Sequence, residues 1–364
     1  MSGIATKSRI YLDHAATTPA WEPARAAMAE AASLDGNPSS LHAEGRAARA
    51  VLETVRDAIA RLAGVLPEQV VLTSGGTEAL QRAMAPHPRI LASATEHGAV
   101  LGGRPDIERI PVLPSGLLDL AALEAALVAA LRAGPALVAV QHGNNETGVI
   151  QPIAAIAALV ASHGSRLLVD CVQTAGKLPV PACDYLALSA HKMGGPMGAG
   201  ALVAAAHAPL AAQPGAQERG HRPGTPSLPA LAGWAAALAA PVPDWAAVAA
   251  RREALEARLV AAGGIVQGAA APRLPHILNL GLPGVAATTQ LMALDLAGFA
   301  VSAGAACSSG KAGPSHVLAA MGLGPAAAHA IRISLGPDTS DEDLAAFADA
   351  WTSMAQRLRQ QAAA

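Results

Sequence analysis

Lysine is scarce in this sequence of 364 residues, and one of its lysines stands in an unusual place. Lys192 follows the apolar run 185–190, which is typical of a buried strand, and a glycine-rich turn comes directly after it. A lysine is normally solvated, because removing its charge from water is costly. This setting marks Lys192 as a candidate reactive amine. The other lysines lie in the N-terminus or in loops: Lys7, Lys177 and Lys311.

Two further strand ends carry groups that complement an amine. Gly75, Gly76 and Thr77 follow a predicted strand and open a predicted helix, where free backbone N–H groups can hold a phosphate. Asp170 ends the predicted strand 166–170. Open α/β sheets bind their ligands at the carboxyl ends of strands. Each residue also has an ordinary interpretation, as part of a strand–helix turn or as a cap.

A phosphate site, a carboxylate and a lysine at successive strand ends match what pyridoxal phosphate requires. Its phosphate needs an anion site, its ring nitrogen stays protonated beside a carboxylate, and its aldehyde forms a Schiff base with a lysine. We therefore predict this cofactor, with Lys192 as the Schiff-base lysine. His97 follows another predicted strand, where it could stack on the ring and move protons, or simply begin a helix at the surface. His191 could orient the phosphate or the lysine.

The cysteines Cys171, Cys183 and Cys307 are few and widely spaced. An odd number at such spacing argues against a disulfide framework and against a CxxC metal site, and no metal is expected. Cys171 and Cys183 are expected to be structural. Cys307 stands in "AGAACSSGKAGP", where small residues without periodicity indicate a loop. An exposed thiol there could act as a nucleophile once deprotonated.

The composition narrows the class of protein. Hydrophobic residues make up 52% of the chain but aromatic residues only 2%, so small aliphatic side chains must build most of the core. The net charge is −2, and no basic stretch with interleaved aromatics occurs, which argues against nucleic acid as the main ligand. Charged residues and a proline interrupt the longest apolar tract, and the N-terminus lacks an apolar signal core. We expect a cytoplasmic protein without membrane contact.

Short apolar runs alternate with amphipathic stretches along most of the chain. Buried strands separated by helices predict a mostly parallel sheet with helices on both faces. A Gly/Pro-rich loop then precedes shorter strands and a final helix capped by Ser340. We therefore predict an α/β fold with a large cofactor-binding domain, 16–236. A smaller α+β domain, formed by 1–15 and 237–364, would carry the Cys307 loop.

A series of short motifs covers nearly the whole chain. In order, they are "YLDHAATTP", "NPSSLHAEGRAAR", "LTSGGTEA", "TEHGAV", "NNETGVIQPI", "VDCVQTAGK", "LSAHKMGGPMGAGAL", "AQERGHRPGT", "SAGAACSSG", "PSHVLAAMG" and "IRISLG". Together they resemble the cysteine desulfurases, in the class V branch of the aminotransferase superfamily and fold type I of the pyridoxal phosphate enzymes. The sequence departs from the usual pattern of that family at Leu80, Gln81, Gly195 and Met197.

The resemblance implies which residues hold the cofactor. Asp170 would pair with the ring nitrogen, His97 would stack on the ring, and Lys192 would bind the aldehyde. Asn145 and Gln173 would reach the ring hydroxyl. The residues implied for the phosphate are Gly76, Thr77, Ser189, His191 and, from a partner subunit, Thr225.

The resemblance also implies a reaction and an assembly. Asn37 and Arg332 would hold the carboxylate of L-cysteine, which a guanidinium can bind through two parallel hydrogen bonds. Lys192 and His97 would move protons while L-cysteine becomes L-alanine. The sulfur would pass to Cys307 as a persulfide and then to an acceptor protein, for iron–sulfur cluster or other thio-cofactor synthesis. The contribution of a partner's residue to the phosphate site implies a homodimer.

Two alternative functions stay open on the sequence alone. Selenocysteine lyase, or another class V activity such as an aminotransferase, would use the same cofactor residues. A non-catalytic scaffold would only bind a sulfur acceptor. The presence of Lys192, Asp170, His97, Arg332 and Cys307 favours an enzyme.

Overall fold

The structure is a computed structural model that describes residues 9–131, 134–213, 215, 217–304 and 313–363. Within them, a seven-stranded sheet forms the centre of the larger part of the molecule and a four-stranded sheet the centre of the smaller part. The strands are β1 (Ile10–Tyr11), β2 (Val70–Thr73), β3 (Ile90–Ser93), β4 (Glu108–Ile110), β5 (Leu137–Gln141), β6 (Arg166–Asp170), β7 (Tyr185–Ser189), β8 (Gly200–Ala204), β9 (Ile265–Val266), β10 (Ile277–Gly281), β11 (Phe299–Ala300), β12 (Ser302–Ala303) and β13 (Ala330–Ser334).

The large sheet is mostly parallel, with the order β2-β8-β7-β6-β5-β3-β4. Only β8 runs antiparallel to its neighbours. The connection between β7 and β8 is too short for a crossover, and it turns back through Gly194 and Gly198, whose φ angles are 75° and 86°. Nearly all residues of β5, β6 and β7 are buried, which explains their lack of polar alternation. The predicted α/β fold class is confirmed.

Helices cover both faces of the large sheet. On one face, α2, α5, α6 and α7 pack against one set of strand side chains, and on the other face α3 and α4 pack against the alternate set. The helices are α1 (Glu22–Ala31), α2 (Ala43–Ala63), α3 (Gly76–Met84), α4 (Gly98–Leu101), α5 (Leu120–Leu131), α6 (Ile153–Ser162), α7 (Leu228–Ala239), α8 (Trp245–Ala261), α9 (Ala287–Leu296), α10 (His316–Ala320) and α11 (Asp341–Ala363). No helix in the described ranges is both long enough and apolar enough to cross a bilayer.

The smaller part centres on an antiparallel sheet of order β12-β13-β10-β9. Side chains of α8, α9 and α11 pack with this sheet in a separate core. The strand β1 pairs with β11, which places residues 10 and 11 in this part. The hydroxyl of Ser340 accepts a hydrogen bond from the N–H of Asp343 (3.1 Å), so the predicted cap of α11 is present.

The predicted domain boundary between residues 236 and 237 falls inside α7. This helix packs closely on α1 and α2, and its Trp234 is fully buried in the core of the larger part. The chain therefore passes to the smaller part only after α7 has ended.

Candidate active site

A cavity of about 240 Å³ lies at the carboxyl ends of the large sheet. The ends of β2, β3, β5, β6 and β7 supply most of its wall, which is where a parallel sheet gathers side chains from distant parts of a sequence. The small sheet adds a guanidinium from β13. The predicted site residues that line the cavity are Gly76, Thr77, His97, Asn145, Asp170, Gln173, Ser189, His191, Lys192 and Arg332.

Lys192 lies in a single 3-10 turn, Ala190–Lys192, that directly follows β7. Its Nζ donates hydrogen bonds to the carbonyl oxygens of Ala15 and Ala16, each at 2.6 Å. The N-terminal segment therefore crosses the cavity and orients the amine. On the far side, Lys177 donates from Nζ to the carbonyl oxygen of Lys192 (2.8 Å). Burial and the charge of Lys192 lower the pKa of Lys177 to about 7, but Lys177 does not line the cavity.

Asp170 ends β6 and is buried at the cavity wall. Its carboxylate accepts a hydrogen bond from the N–H of Val172 at 2.9 Å. Burial raises the pKa of Asp170 to about 6, although this hydrogen bond and the charge of Lys192 act in the opposite direction. A cationic N–H group placed against the carboxylate would favour its ionised form. The site is therefore suited to a ligand with a protonated ring nitrogen.

His97 caps α4, and the cap fixes its tautomer. The Nδ1 atom accepts a hydrogen bond from the N–H of Ala99 (3.0 Å), so the neutral ring carries its proton on Nε2. Burial, followed by the charges of Lys192 and His316, lowers the pKa of His97. A neutral, oriented imidazole at the cavity wall can stack on a planar ligand and donate a hydrogen bond from Nε2.

Glu96, next to His97, was not singled out by the sequence analysis. It is fully buried, and its Oε1 accepts from the backbone N–H of Gln141 at 2.8 Å. Burial raises the pKa of Glu96 well above its ordinary value. Its position directly before a candidate histidine was the only sequence signal available.

The start of α3 forms an anion site at one end of the cavity. Gly76 and Thr77 open this helix, whose first N–H groups have no partners within the helix. A Cβ atom at Gly76 would lie 2.7 Å from Cγ2 of Val172, so only glycine lets the backbone come this close. Ser189 adds a buried hydroxyl. His191 contacts the hydroxyl of Thr17 (3.2 Å), and burial and the charge of Lys192 lower its pKa to about 4.

Arg332 reaches the opposite end of the cavity from β13. Its Nη2 forms an ion pair with Oδ1 of Asp13 (2.7 Å), and its Nη1 donates to the carbonyl oxygen of Asn145 (2.9 Å). The side chain is buried, and its Nε has no partner. Two fixed contacts thus orient a guanidinium toward the cavity, where it can bind a carboxylate. The sequence analysis missed Asp13, because the pair joins residues 319 positions apart.

Comparison with known proteins agrees with this arrangement. The family model of class V aminotransferases matches residues 10–347. The cysteine desulfurase of Cereibacter sphaeroides is 38% identical over 380 residues, which cover 96% of this chain and 97% of that protein. The chain belongs to the cysteine desulfurases.

Solved structures lead to the same family. The NifS-like protein from Rickettsia africae ESF-5 is 30% identical, with a TM-score of 0.87 over 95% of this chain and 99% of that one. The structure of SspA in complex with cysteine is 28% identical, with a TM-score of 0.78 over 90% of this chain and 99% of that one. The sequence-based prediction of the family and its enzyme class is confirmed, and the enzymes of this family use pyridoxal phosphate.

Three observations indicate that the cavity of this cysteine desulfurase fits pyridoxal phosphate. The Oε1 atom of Gln173 is buried at the wall without a hydrogen-bond partner. The carboxylate of Asp170 is buried with a raised pKa, a condition that a cationic ring nitrogen would relieve. The backbone at Gly76 leaves a cradle that a Cβ atom would fill. The predicted roles of the three residues are compatible with these observations and stay predictions.

Two predicted site residues lie outside the cavity wall of this desulfurase chain. Asn37 is exposed, and its Oδ1 accepts from the N–H of Ser39 at 2.9 Å. Thr225 is also exposed. Gln217 donates to the hydroxyl of Ser39 (2.8 Å), so the loops that carry Asn37 and Thr225 touch each other at the surface. Their predicted contacts with substrate and cofactor stay predictions.

Cys307 lies outside the described residues, so its predicted role stays a prediction as well. Described residues on both sides of its segment meet Glu146, the neighbour of Asn145. The hydroxyl of Ser315 donates to Oε2 of Glu146. Gly304 packs so closely on that carboxylate that a Cβ atom there would overlap Oε2. Gly304 and Ser315, which stand on either side of Cys307 in the sequence, therefore both contact the residue next to Asn145.

The structure also describes the other two cysteines and three of the positions at which the sequence departs from the family pattern. Cys171 and Cys183 are free thiols whose pKa values burial raises, to about 12 for Cys183. Leu80 lines the cavity, Gly195 packs against Trp234, and Met197 is exposed. Within the described ranges, no group of three or more His, Cys, Asp or Glu residues could hold a metal.

Proposed function

We propose that this protein removes the sulfur of L-cysteine, leaving L-alanine, in a cavity that holds pyridoxal phosphate. One observation carries the proposal: Lys192, Asp170 and Arg332 line a single cavity of about 240 Å³. They supply an amine for the cofactor's aldehyde, a carboxylate for its ring nitrogen and a guanidinium for the substrate. The solved relative that holds cysteine supports this substrate.

The residues of the cavity divide the work of binding. Thr77 and Ser189, with the first N–H groups of α3, hold the phosphate. Asp170 holds the ring nitrogen in its protonated form, and the bound cofactor then supplies an electron sink for the carbon that loses its proton. Arg332 binds the α-carboxylate of the substrate, and its ion pair with Asp13 keeps the guanidinium in one orientation.

Lys192 and His97 provide the acid–base groups of the reaction. The amine of Lys192 would remove the proton from the α-carbon of the substrate. The ring of His97 is neutral because burial lowers its pKa, and its Nε2–H can donate a hydrogen bond where negative charge develops during the reaction. General acid–base steps of this kind each contribute about 10²–10⁴-fold to a rate.

Cys307 receives the sulfur. Its thiolate attacks the sulfur of the substrate, a new S–S bond forms, and the C–S bond breaks with its electron pair left on the carbon. That carbon takes up a proton, so cysteine plus one enzyme thiol gives alanine plus one enzyme persulfide. The support is the small-residue sequence around Cys307 and the contacts of Gly304 and Ser315 with Glu146. An acceptor protein then takes the sulfur for iron–sulfur cluster or other thio-cofactor synthesis.

The protein acts as a homodimer in the cytoplasm. Thr225, which is exposed in its own chain, completes the phosphate site of the partner subunit. Neither nucleic acid nor a membrane takes part in the reaction. Selenocysteine lyase and aminotransferase activities remain alternatives that the following experiments separate from desulfuration.

Cys307→Ser tests the nucleophile. The variant should bind the cofactor like the wild type, because no residue of the cavity wall changes, but alanine release should fall by at least about a hundredfold. Wild-type protein given cysteine without reductant should gain the mass of one sulfur atom on the Cys307 peptide. Cys183→Ser is the matched control and should keep full activity. Undiminished alanine release by Cys307→Ser would instead favour the lyase or aminotransferase alternative.

Borohydride reduction tests the lysine. Reduction of the cofactor-loaded protein should attach the cofactor to the peptide that contains Lys192, and Lys192→Ala should abolish both the label and the activity. Lys177, whose Nζ lies 2.8 Å from the carbonyl oxygen of Lys192, is the natural competitor and the internal control. A label on the Lys177 peptide would overturn the assignment.

A further inference from the structure

A surface segment, 217–225, is attached to the large sheet by a buried ion pair. Glu218 is only 5% exposed, and its carboxylate accepts from both terminal nitrogens of Arg56, each at 2.9 Å. It also accepts from the N–H of Leu72 in β2 at 2.8 Å. Arg56 is equally buried and donates to the carbonyl oxygen of Val70, also in β2, at 2.6 Å. All the charge that this attachment buries is paired.

A second attachment joins the segment to α3. Arg222 donates from Nε to the carboxylate of Glu78 at 3.0 Å. Arg82 bridges the same elements, because it donates to Glu78 (2.8 Å) and to the carbonyl oxygen of His221 (2.6 Å). Glu78 directly follows Thr77, the phosphate residue of the same chain. The segment is therefore fixed to the unit of β2 and α3 that forms the chain's own anion site.

The backbone of the segment is strained where it is attached. Glu218 and Arg219, with φ angles of 46° and 56°, are the only non-glycine residues in the described part of the chain with positive φ. This left-handed conformation is unfavourable for a side chain with a Cβ atom. Arg219 is held there by a hydrogen bond from Nη2 to the carbonyl oxygen of Val70 at 2.8 Å. A connection that only joined β8 to α7 would gain nothing from such strain.

Beyond these attachments, the segment ends in an exposed hydroxyl. Thr225 follows Gly224, is exposed, and does not line the cavity of its own chain. All the attachments described above precede it. The combination of buried ion pair, strained backbone and exposed end fixes the direction in which Thr225 projects.

We propose that Glu218 is a positioning residue that acts on a second copy of this chain. With Arg56 it holds the segment so that Thr225 reaches the phosphate site of the partner's cavity. The inference rests on the proposed function, in which Thr225 completes that site. Thr77 and the attachments belong to the same unit of β2 and α3. Each chain therefore uses this one unit both to hold its own phosphate and to present the hydroxyl of Thr225 to its partner.

Mixed dimers, made by co-expressing two differently tagged chains, separate action on the partner from action within the chain. One chain carries Glu218→Gln and the other Lys192→Ala, so cofactor trapped by borohydride reports only the cavity of the first chain. That cavity receives an intact segment from the other chain. It should bind the cofactor as the wild type does, whereas the Glu218→Gln homodimer should bind roughly tenfold more weakly or worse, since charge-assisted hydrogen bonds are lost.

The matched control places both changes on one chain and pairs it with a wild-type chain. The wild-type cavity then receives the altered segment, and its cofactor affinity should fall about as far as in the Glu218→Gln homodimer. The opposite pattern, with weak binding in the first mixed dimer and normal binding in the second, would show that Glu218 acts only within its own chain. That result would overturn the inference.

Two further variants keep the test decisive. If Glu218→Gln fails to fold, Arg56→Lys removes the forked pairing more mildly and must give the same pattern in the two mixed dimers. We call this pattern exchange: normal cofactor binding when the altered segment belongs to the chain whose cavity is measured, and weak binding when it belongs to the partner. Thr225→Val tests the composite site itself. Exchange for Thr225→Val without exchange for Glu218→Gln or Arg56→Lys would refute the positioning role and leave the proposed function intact. No exchange for Thr225→Val, or a monomeric protein, would refute the shared site of the proposed function.

Discussion

The cavity and the Glu218–Arg56 ion pair of the segment 217–225 both bury polar groups, but they satisfy them to different degrees. At the cavity, Gln173 Oε1 and Arg332 Nε have no partner, and burial raises the pKa of Asp170 to about 6. In the segment, the carboxylate of Glu218 accepts three hydrogen bonds, two from Arg56 and one from a backbone N–H. Buried polar groups without partners cost free energy, and proteins retain them where a ligand completes the bonding.

The difference separates residues that meet a ligand from residues that hold structure in place. Removing a charge from the cavity should leave the fold intact or even stabilise it, while the loss appears in ligand binding. Removing a charge from the segment should destabilise the fold, because its partner is then left buried and unpaired. Stability measurements on matched variants can therefore test the distinction directly.

Glu218→Ala should have the largest effect on stability. It leaves the guanidinium of Arg56 buried without its main partner, and breaking a buried pair in this way costs about 3–5 kcal/mol. Urea unfolding of the protein at neutral pH measures the change. Glu53→Ala is the matched control, because Glu53 contacts the same Arg56 but is 41% exposed, and its loss should cost about 1 kcal/mol or less. Equal losses in the two variants would contradict the comparison.

The sequence alone identified the cavity residues better than the attachments. Lys192 and Asp170 were found because residue type and position at a strand end are local properties that hydrophobic patterning makes visible. The pairing of Arg56 with Glu218 joins residues 162 positions apart, and nothing in either local sequence predicts it. Long-range charge pairs depend on how the elements pack, which periodicity does not encode.

The same limit explains which details of the fold the sequence did not predict. The strands β6 and β7 were predicted within about a residue because they are buried, uninterrupted apolar runs. The antiparallel direction of β8 and the membership of α7 in the large core depend on tertiary contacts. Only Val301 separates β11 from β12, yet the two strands pair with different partners, β1 and β13.

Asp170→Asn should have an intermediate effect that depends on pH and has the opposite sign. The pKa of Asp170 is raised in the folded protein, so its charge costs stability above pH 6 and costs nothing below about pH 4. The difference between about 6 and the ordinary value of 3.8 corresponds to roughly 3 kcal/mol. Cofactor-free wild type should therefore lose about this much relative to Asp170→Asn as pH rises from 4 to 7.

Thermal or urea unfolding of the two cofactor-free proteins across this pH range measures the effect. Asp184→Asn is the control, because Asp184 directly precedes β7 but pairs with His207 and Arg166 near the surface. With cofactor bound, the order should reverse, since the wild-type carboxylate gains a cationic partner that the amide cannot match. An Asp170→Asn variant as stable as the wild type at every pH would show that the carboxylate carries no such cost.

Glu78→Gln should have the smallest effect and should show how far the comparison extends. Burial tends to raise the pKa of Glu78, but hydrogen bonds from Ser74 and from Arg82 and the charge of Arg222 outweigh it and lower the pKa to about 2. A carboxylate with a lowered pKa stabilises the fold above its ordinary pKa of 4.5, and this contribution disappears as pH falls toward 2. Because the pair is about one-fifth exposed, we expect Glu78→Gln to cost only about 1–2 kcal/mol at pH 7. The deficit relative to wild type should shrink steadily in unfolding experiments at pH 4, 3 and 2.

Glu78 adjoins Thr77 without lining the cavity, so its removal should destabilise the fold, as removal of Glu218 should. A variant that gained stability at pH 7 would place Glu78 with the ligand-binding carboxylates instead, and the division between the two regions would then fail at the helix they share.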